Sequence, residues 1–355
     1  GLDIEMGTNS PDYDGYFLGK AFREAIQQGE IPVAVLDDKV RRVLRVALSV
    51  DRSRPGAINT PAHQELARRV AEESMVLLKN DKHALPLNLA GIKSVAVIGE
   101  NAVRHNANGF FGAGVKTPYE ITPLDGIKQF VGDKASVTYS AGYSKDGGSN
   151  LVENAVAAAK NADVAIVVAG LWHVRGQDDE SVDRASLSLP YGQDELIRQV
   201  VQANPRTIVV LVSGPAIELG PWLAQVLAVL QAHYSGMEGG HALADILFGK
   251  VNPSGKLTVT YQKQLSDSPA HALDTYPGTN GTLFYKEGLL VGYRWFDAKK
   301  IEPQFPFGYG LSYTTFKYSG LKLIPAAGTN GIVTAQFEIK NTGKVAGAEV
   351  AQLYV

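Results

Sequence analysis

Apolar residues recur along this chain in two rhythms, and the change from one to the other marks its organisation. In DDKVRRVLRVALSV, Val40, Val43, Leu44 and Ala47 share one face at helical spacing, which predicts a helix over roughly 36–50. Two prolines and a glycine interrupt the pattern at 51–61, and a second helical pattern follows through LARRVAEESMVLLKN. From Val95 onward the texture is β-branched: VAVIG (95–99), VTYS (137–140), VAIVVAG (164–170) and IVVLVSG (208–214) alternate with the helical stretches ENAVAAAKNA and QDELIRQVVQAN. The pair VLAVLQAH and GGHALADILFG continues the alternation. Continuous apolar strands separated by helices predict a mostly parallel sheet covered on both faces, so 62–260 is expected to be an α/β sandwich of about five strands.

Beyond that, 261–320 is a turn-rich connection expected to complete the α/β domain. The tail, 321–355, alternates apolar and polar residues in IVTAQFEIKNTG and AEVAQLYV, which predicts antiparallel strands. An immunoglobulin-like sandwich takes about seven strands in about 100 residues, so a sandwich begun here would be incomplete.

Composition narrows the function classes. The chain has 355 residues, of which 45% are hydrophobic and 20% charged, so it can bury real cores in two or three domains. Lys and Arg number 34 against 36 Asp and Glu, leaving no cationic surplus to neutralise a phosphate backbone, and nucleic acid is not an expected partner. There is no cysteine, which excludes disulfides, thiolate nucleophiles and Cys-ligated zinc. No pair of histidines has metal-ligand spacing, and neither a metal nor a cofactor is expected. The apolar runs 164–169 and 208–212 fall far short of the roughly 20 residues that cross a bilayer, so no membrane partner is expected. Residues 1–6 lack the basic start and apolar stretch of a signal peptide, and with no initiator Met the chain reads as starting inside a longer one. A homo-oligomeric state is left open.

Several strings together resemble glycoside hydrolase family 3, the family of β-glucosidases and related exo-acting enzymes. GLDIEMG, DDKVRRVLR, ESMVLLKND, TPLDGI, SGMEGGHALADILFGKVNPSGKL, VGYRWFD, FPFGYGLSYTTF and NTGKVAGAEVAQLYV occur in the order the family has them. The resemblance implies that 1–50 is the C-terminal remnant of a (β/α)8 barrel, 51–61 a linker, and 321–355 the first strands of a fibronectin type III-like domain. An eight-stranded barrel takes about 250 residues, of which about fifty would be present. It also implies that the nucleophilic Asp precedes Gly1. Asp3 belongs to the structural string and is not assigned that role. On this reading the chain alone is inactive, its partner is the missing barrel segment of the same protein, and its substrate is a β-linked oligosaccharide or β-glucoside. The same resemblance favours a periplasmic or secreted location.

Retaining glycosidases use two carboxyl groups about 5–5.5 Å apart, a nucleophile and an acid/base. GLWHVRGQDDESVDRASLSLP follows the run 164–170 and so lies at a strand's carboxyl end, where α/β sheets place function. There the resemblance assigns the acid/base to Glu180, in the pattern Glu180, Ser181, Val182, Asp183, Arg184; the family often has Gly where Ser181 stands. Without the resemblance, DDE reads as a solvated acidic loop. Asp178 and Asp179 are fallback candidates. Arg184 is expected on the substrate side of the loop, fixing it with Asp183 through a mutual or neighbouring ion pair. Trp172 beside the strand is expected in the core rather than over a sugar ring, and His173 is given no catalytic role. In the Gly-rich NGFFGAGVKTPYEITPLDGI the resemblance implies Phe110 and Phe111 at the leaving-group subsite, against the alternative of two Phe buried under a turn, with Ala113 where relatives often have Ser. Met6 is a further substrate-side candidate, weighed against plain packing. Glu238, before the helix expected at 239–249, is read as structural.

Two other classes compete. VAVIGENAV followed by GFFGAG suggests a dinucleotide loop, but about nine residues separate strand and glycines where the fingerprint needs none. A non-catalytic carbohydrate-binding or scaffold fragment is the other. The expected function is part of a retaining exo-acting β-glucosidase releasing terminal non-reducing β-D-glucosyl residues, with β-xylosidase as the alternative.

Overall fold

A computed structural model describes residues 2–6, 12–51, 53, 56–107, 115–180, 182–325 and 333–354. It divides into two compact units, Gly1–Thr60 and Pro61–Val355. In the first, α1 (Phe22–Gln27) leads to α2 (Val33–Ser49), which starts three residues before the predicted helix because Pro32 at its N-cap presets the entry. Leu36, Val40, Val43 and Leu44 of α2 line a groove with Leu18 and Phe22. Asp3 lies 3.8 Å from Lys39 and 3.5 Å from Arg42, pairing the chain's start with α2.

The second unit opens with α3 (Pro61–Ser74), followed by β1 (Val76–Asn80) and β2 (Ser94–Ile98). Then come α4 (Pro123–Val131), β3 (Ser136–Ser140), α5 (Leu151–Lys160) and β4 (Val164–Gly170). Next are α6 (Gln193–Ala203), β5 (Thr207–Val212), β6 (Ala228–Gln231) and α7 (Gly239–Leu247). The six strands form one sheet in the order β1-β6-β5-β4-β2-β3, parallel except for β1, which runs antiparallel to β6. Alternate residues serve opposite faces: Ala96 and Ile98 pack with Ala155, Ala159, Leu196 and Val200 of α5 and α6, whereas Val95 and Val97 pack with Ile127, Leu243 and Ile246 of α4 and α7. All seven residues of β4 are buried, which is why its apolar run is unbroken.

One helical expectation is overturned. The pattern LARRVAEESMVLLKN breaks at Ser74, and its second half is β1, so the sheet has six strands. Met75, Val76, Leu77 and Leu78 are four consecutive buried apolar side chains; Met75 and Leu77 enter one core layer, Val76 and Leu78 the other. A surface helix has only one apolar stripe to bury, whereas a strand beside β6 buries both its faces.

Helices α4 and α7 cross at Gly126 and Gly240. A methyl on Gly126 would overlap the Gly240 carbonyl, and one on Gly240 would overlap that of Thr122. The segment 261–315 adds α8 (Pro269–Ala272) and α9 (Tyr293–Lys299) and sends Tyr261 and Phe305 into the core, with Leu311 bridging to Leu77. The tail holds a two-stranded antiparallel ribbon, β7 (Phe316–Pro325) with β8 (Val333–Asn341). AEVAQLYV, expected as a strand, has no ladder among the described residues; alternation makes a strand only where another edge accepts its hydrogen bonds. Among the described residues no helix is long and apolar enough to cross a membrane, and no group of His, Cys, Asp or Glu is placed to hold a metal.

Candidate active site

The loop 171–192 leaves the carboxyl end of β4 and returns to α6, and Gln193 ties its two ends together. Its amide accepts from Gly170 N at 2.8 Å and donates to Gly170 O at 2.9 Å and to Pro190 O at 3.0 Å. Trp172 anchors the outgoing limb. It is 3% exposed, stacks on Tyr191 with ring centroids 5.2 Å apart, and carries the Arg104 guanidinium 3.7 Å over its ring. The core placement expected for Trp172 therefore holds. Asn101 donates to Leu171 O, and Gln177 to the Tyr191 hydroxyl at 2.7 Å.

Further along, Asp178 Oδ2 accepts from Gly214 N at 2.9 Å, just beyond β5. Its backbone oxygen lies 3.3 Å from His173 Nδ1, and the His173 ring packs 4.3 Å from that of Tyr234. Burial, and then the Asp178 carboxylate beside it, push the Tyr234 phenol far above its ordinary value. Burial pulls the Arg184 guanidinium down and Asp178 pulls it back up. Arg184 donates from Nη1 to Ala216 O at 3.3 Å and from Nη2 to Ser188 O at 3.0 Å. Asp183 accepts from the Tyr276 hydroxyl at 2.7 Å, which raises that phenol's pKa. Of the mutual or neighbouring ion pair expected for Asp183 and Arg184, neither form is seen among the described residues: Arg184 bonds backbone carbonyls and Asp183 a tyrosine hydroxyl. Asp179 is half-buried, and its Oδ1 is buried without a partner among the described residues. Between these ties Glu180 stands exposed, with no hydrogen bond or ion pair to any described residue.

A second loop leaves the carboxyl end of β2. Glu120, whose side chain is 8% exposed, grips its base by accepting from Asn106 N at 2.6 Å and Ala107 N at 2.9 Å. Phe110, Phe111 and Ala113 lie outside the described residues, as does Ser181. Met6 is 86% exposed and belongs to the first unit. Glu238, at the N-cap of α7, turns its carboxylate to the Tyr119 hydroxyl at 2.5 Å and His241 Nδ1 at 2.6 Å. Burial, then Glu238, push Tyr119 up to about 12. The residues that sequence reasoning missed are the supports: Arg104, Glu120, Gln193, Tyr234 and Tyr276. Arg104 and Tyr234 follow apolar runs in the sequence, whereas Glu120, Gln193 and Tyr276 carry no local signal.

A model of the glycosyl hydrolase family 3 C-terminal domain matches residues 75–313, from the edge of β1 to the start of the ribbon. The chain belongs to that family. Over its whole length it is 40% identical to β-glucosidase BoGH3A of Bacteroides ovatus and 35% identical to a β-xylosidase of Formosa agariphila, covering 51% and 48% of those proteins. The crystal structure of DesR, a β-glucosidase from Streptomyces venezuelae in complex with D-glucose, matches with a TM-score of 0.86 at 29% identity, over 97% of this chain and 58% of that one. The chain thus spans about half the length of the curated relatives it matches. Family membership gives the mixed sheet its place as the family's α/β domain.

Proposed function

We propose that this chain supplies the acid/base of a retaining exo-acting β-glucosidase that removes terminal non-reducing β-D-glucosyl residues. The observation that carries the reading is Glu180: an exposed carboxyl without a partner among the described residues, at the carboxyl edge of the parallel strands, on a loop tied down on both sides of it. In this scheme an Asp from a barrel segment outside these residues attacks the anomeric carbon while the Glu180 carboxyl donates its proton to the departing glycosidic oxygen. The Glu180 carboxylate then takes a proton from the water that attacks the glycosyl-enzyme, and both carboxyls return to their starting states. The family resemblance is the support for taking Phe111, Met6 and Arg184 as substrate-side residues. Residues 1–50 close the barrel, 51–61 link it to the sandwich, and 321–355 begin a fibronectin type III-like domain. The protein works in the periplasm or outside the cell.

The Formosa agariphila relative is the observation that favours β-xylosidase as the second reading. The two are separated by kcat/KM on paired aryl β-glucosides and β-xylosides. In the complete enzyme, Glu180→Ala is expected to lower turnover of substrates with poor leaving groups by about 10²–10⁴-fold, the usual worth of a positioned acid/base. Azide should partly restore turnover of an activated aryl glucoside. Unchanged turnover in Glu180→Ala would remove the assignment, and glycan binding by an enzyme with no turnover would replace it with a non-catalytic binding module.

A further inference from the structure

Glu180 makes no hydrogen bond or ion pair with any described residue, so its position is set by the segment that carries it. We infer that Asp178 is the positioning residue of the acid/base: its carboxylate, held on the Gly214 amide, fixes where Glu180 is presented. The inference rests on the reading of Glu180 above.

Three observations converge. Asp178 Oδ2 accepts from Gly214 N at 2.9 Å, a charge-assisted bond to a backbone donor two residues past the buried end of β5, and therefore to one of the rigid parts of the molecule. A Cβ on Gly214 would stand 2.9 Å from the same oxygen, so a larger residue there would crowd the bond and push the carboxylate aside. The remaining neighbours fit a fixed anion: the Tyr234 ring packs on His173, whose Nδ1 lies 3.3 Å from the Asp178 backbone oxygen, and Arg184, whose charge Asp178 supports, holds the Ala216 carbonyl two residues after Gly214. Two peptide units separate the Asp178 tie from Glu180, a reach of at most about 7 Å. On the other side, the Asp183 bond to Tyr276 limits the loop three residues on. Glu180 therefore hangs from a short span with both ends held. A general acid displaced by about 1 Å loses roughly 10²-fold in rate, so a two-residue lever on a fixed donor matters directly to proton transfer.

The test uses the complete enzyme, an alkyl β-glucoside whose departure needs the acid, and a dinitrophenyl β-glucoside whose departure does not. Asp178→Ala removes the tie, Gly214→Ala blocks it without changing a titratable group, and Asp178→Asn keeps an acceptor for the Gly214 amide. Asp178→Ala and Gly214→Ala are expected to lower kcat/KM on the alkyl glucoside by about 10²-fold. The dinitrophenyl substrate should change by less than about 5-fold, and Asp178→Asn should stay near the parent on both. Equal losses on both substrates would overturn the inference, because they report general damage. So would an Asn variant as impaired as Ala, because Asp178 would then be the proton carrier itself. If Glu180→Gln leaves alkyl glucoside turnover intact, the reading of Glu180 falls and takes this one with it. If Glu180→Gln abolishes turnover while Asp178→Ala does not, only the positioning role falls. Hydrogen exchange in the complete enzyme checks the tie without activity: the Gly214 amide should exchange faster in Asp178→Ala but not in Asp178→Asn, and equal rates would refute the tie.

Discussion

Replacing Gly126 by Ala sets two effects of opposite sign against each other. In a helix interior Ala is better than Gly by roughly 1 kcal/mol, so propensity alone predicts a more stable protein. The crossing with α7 forbids that gain. A Cβ on Gly126 would overlap the carbonyl of Gly240 and sit 2.9 Å from its Cα, and these are backbone atoms that no rotamer can move aside. Relief requires α4 and α7 to separate by about 1 Å, a gap that forfeits a quarter to a half of each contact's dispersion energy. That loss falls on Leu124, Ile127, Leu243 and Ile246, all buried in one core layer. Overpacking of this kind costs about 1–3 kcal/mol and occasionally more; with no flexible partner to yield, we place it at about 3–4 kcal/mol, a net loss of about 2–3 after the propensity gain. For a unit of this size, with an unfolding entropy of about 0.6 kcal/mol/K, that is a fall in Tm of about 3–5 °C. Tryptophan emission is the assay of choice, because Trp172, Trp222 and Trp295 are all buried in the second unit and report on its unfolding alone. A Tm equal to or above the parent's would refute the reasoning, since it would mean that the helices part at no cost.

The link between α3 and α7 gives two further predictions. Asp245, with a side chain 2% exposed, is bound by Arg68 and lies 3.2 Å from Lys250. Burial works against its charge, but hydrogen bonds from Arg68, Glu72 and Lys250 win and hold its carboxyl below the ordinary value. Arg68→Ala leaves that carboxylate to Lys250 and Glu72 and should destabilise the second unit by about 2–3 kcal/mol in urea unfolding, below the roughly 3–5 kcal/mol of a fully stranded buried charge; a loss below about 1 kcal/mol would show the pair to be dispensable. Beside it, burial and then the Asp245 carboxylate push Glu72 up to about 7 against the pull of Arg68. A carboxyl raised in the folded state favours folding only while protonated, so Glu72 should cost stability progressively as pH rises from about 4.5 to 7. Glu72→Gln should flatten that part of the Tm profile and raise Tm at pH 8, and a profile parallel to the parent's would contradict the sign.

What could be read in advance follows from the range of the interaction involved. Strands β4 and β5 were legible because a strand buried on both faces needs an unbroken apolar run, and that requirement is local. The position of Glu180 after β4 was legible for the same reason. β1 was not: MVLL prolongs the helical pattern of α3, and only the vacant edge of β6 turns it into a strand.

Nor could the supports of the candidate site be read. Arg184 and Asp183 look like a pair in sequence, yet one bonds carbonyls of Ala216 and Ser188 and the other a tyrosine ninety-three residues away. The sequence by itself determined the α/β class, most of its strands and helices, the family, and the loop that carries the candidate acid, because periodicity and motif order are written in neighbouring residues. Tertiary structure alone decided that β1 joins the sheet, that α4 and α7 meet backbone to backbone, and that Asp178 reaches Gly214. Those outcomes depend on which strand lies beside which, and strand order arises from long-range burial that no local pattern encodes.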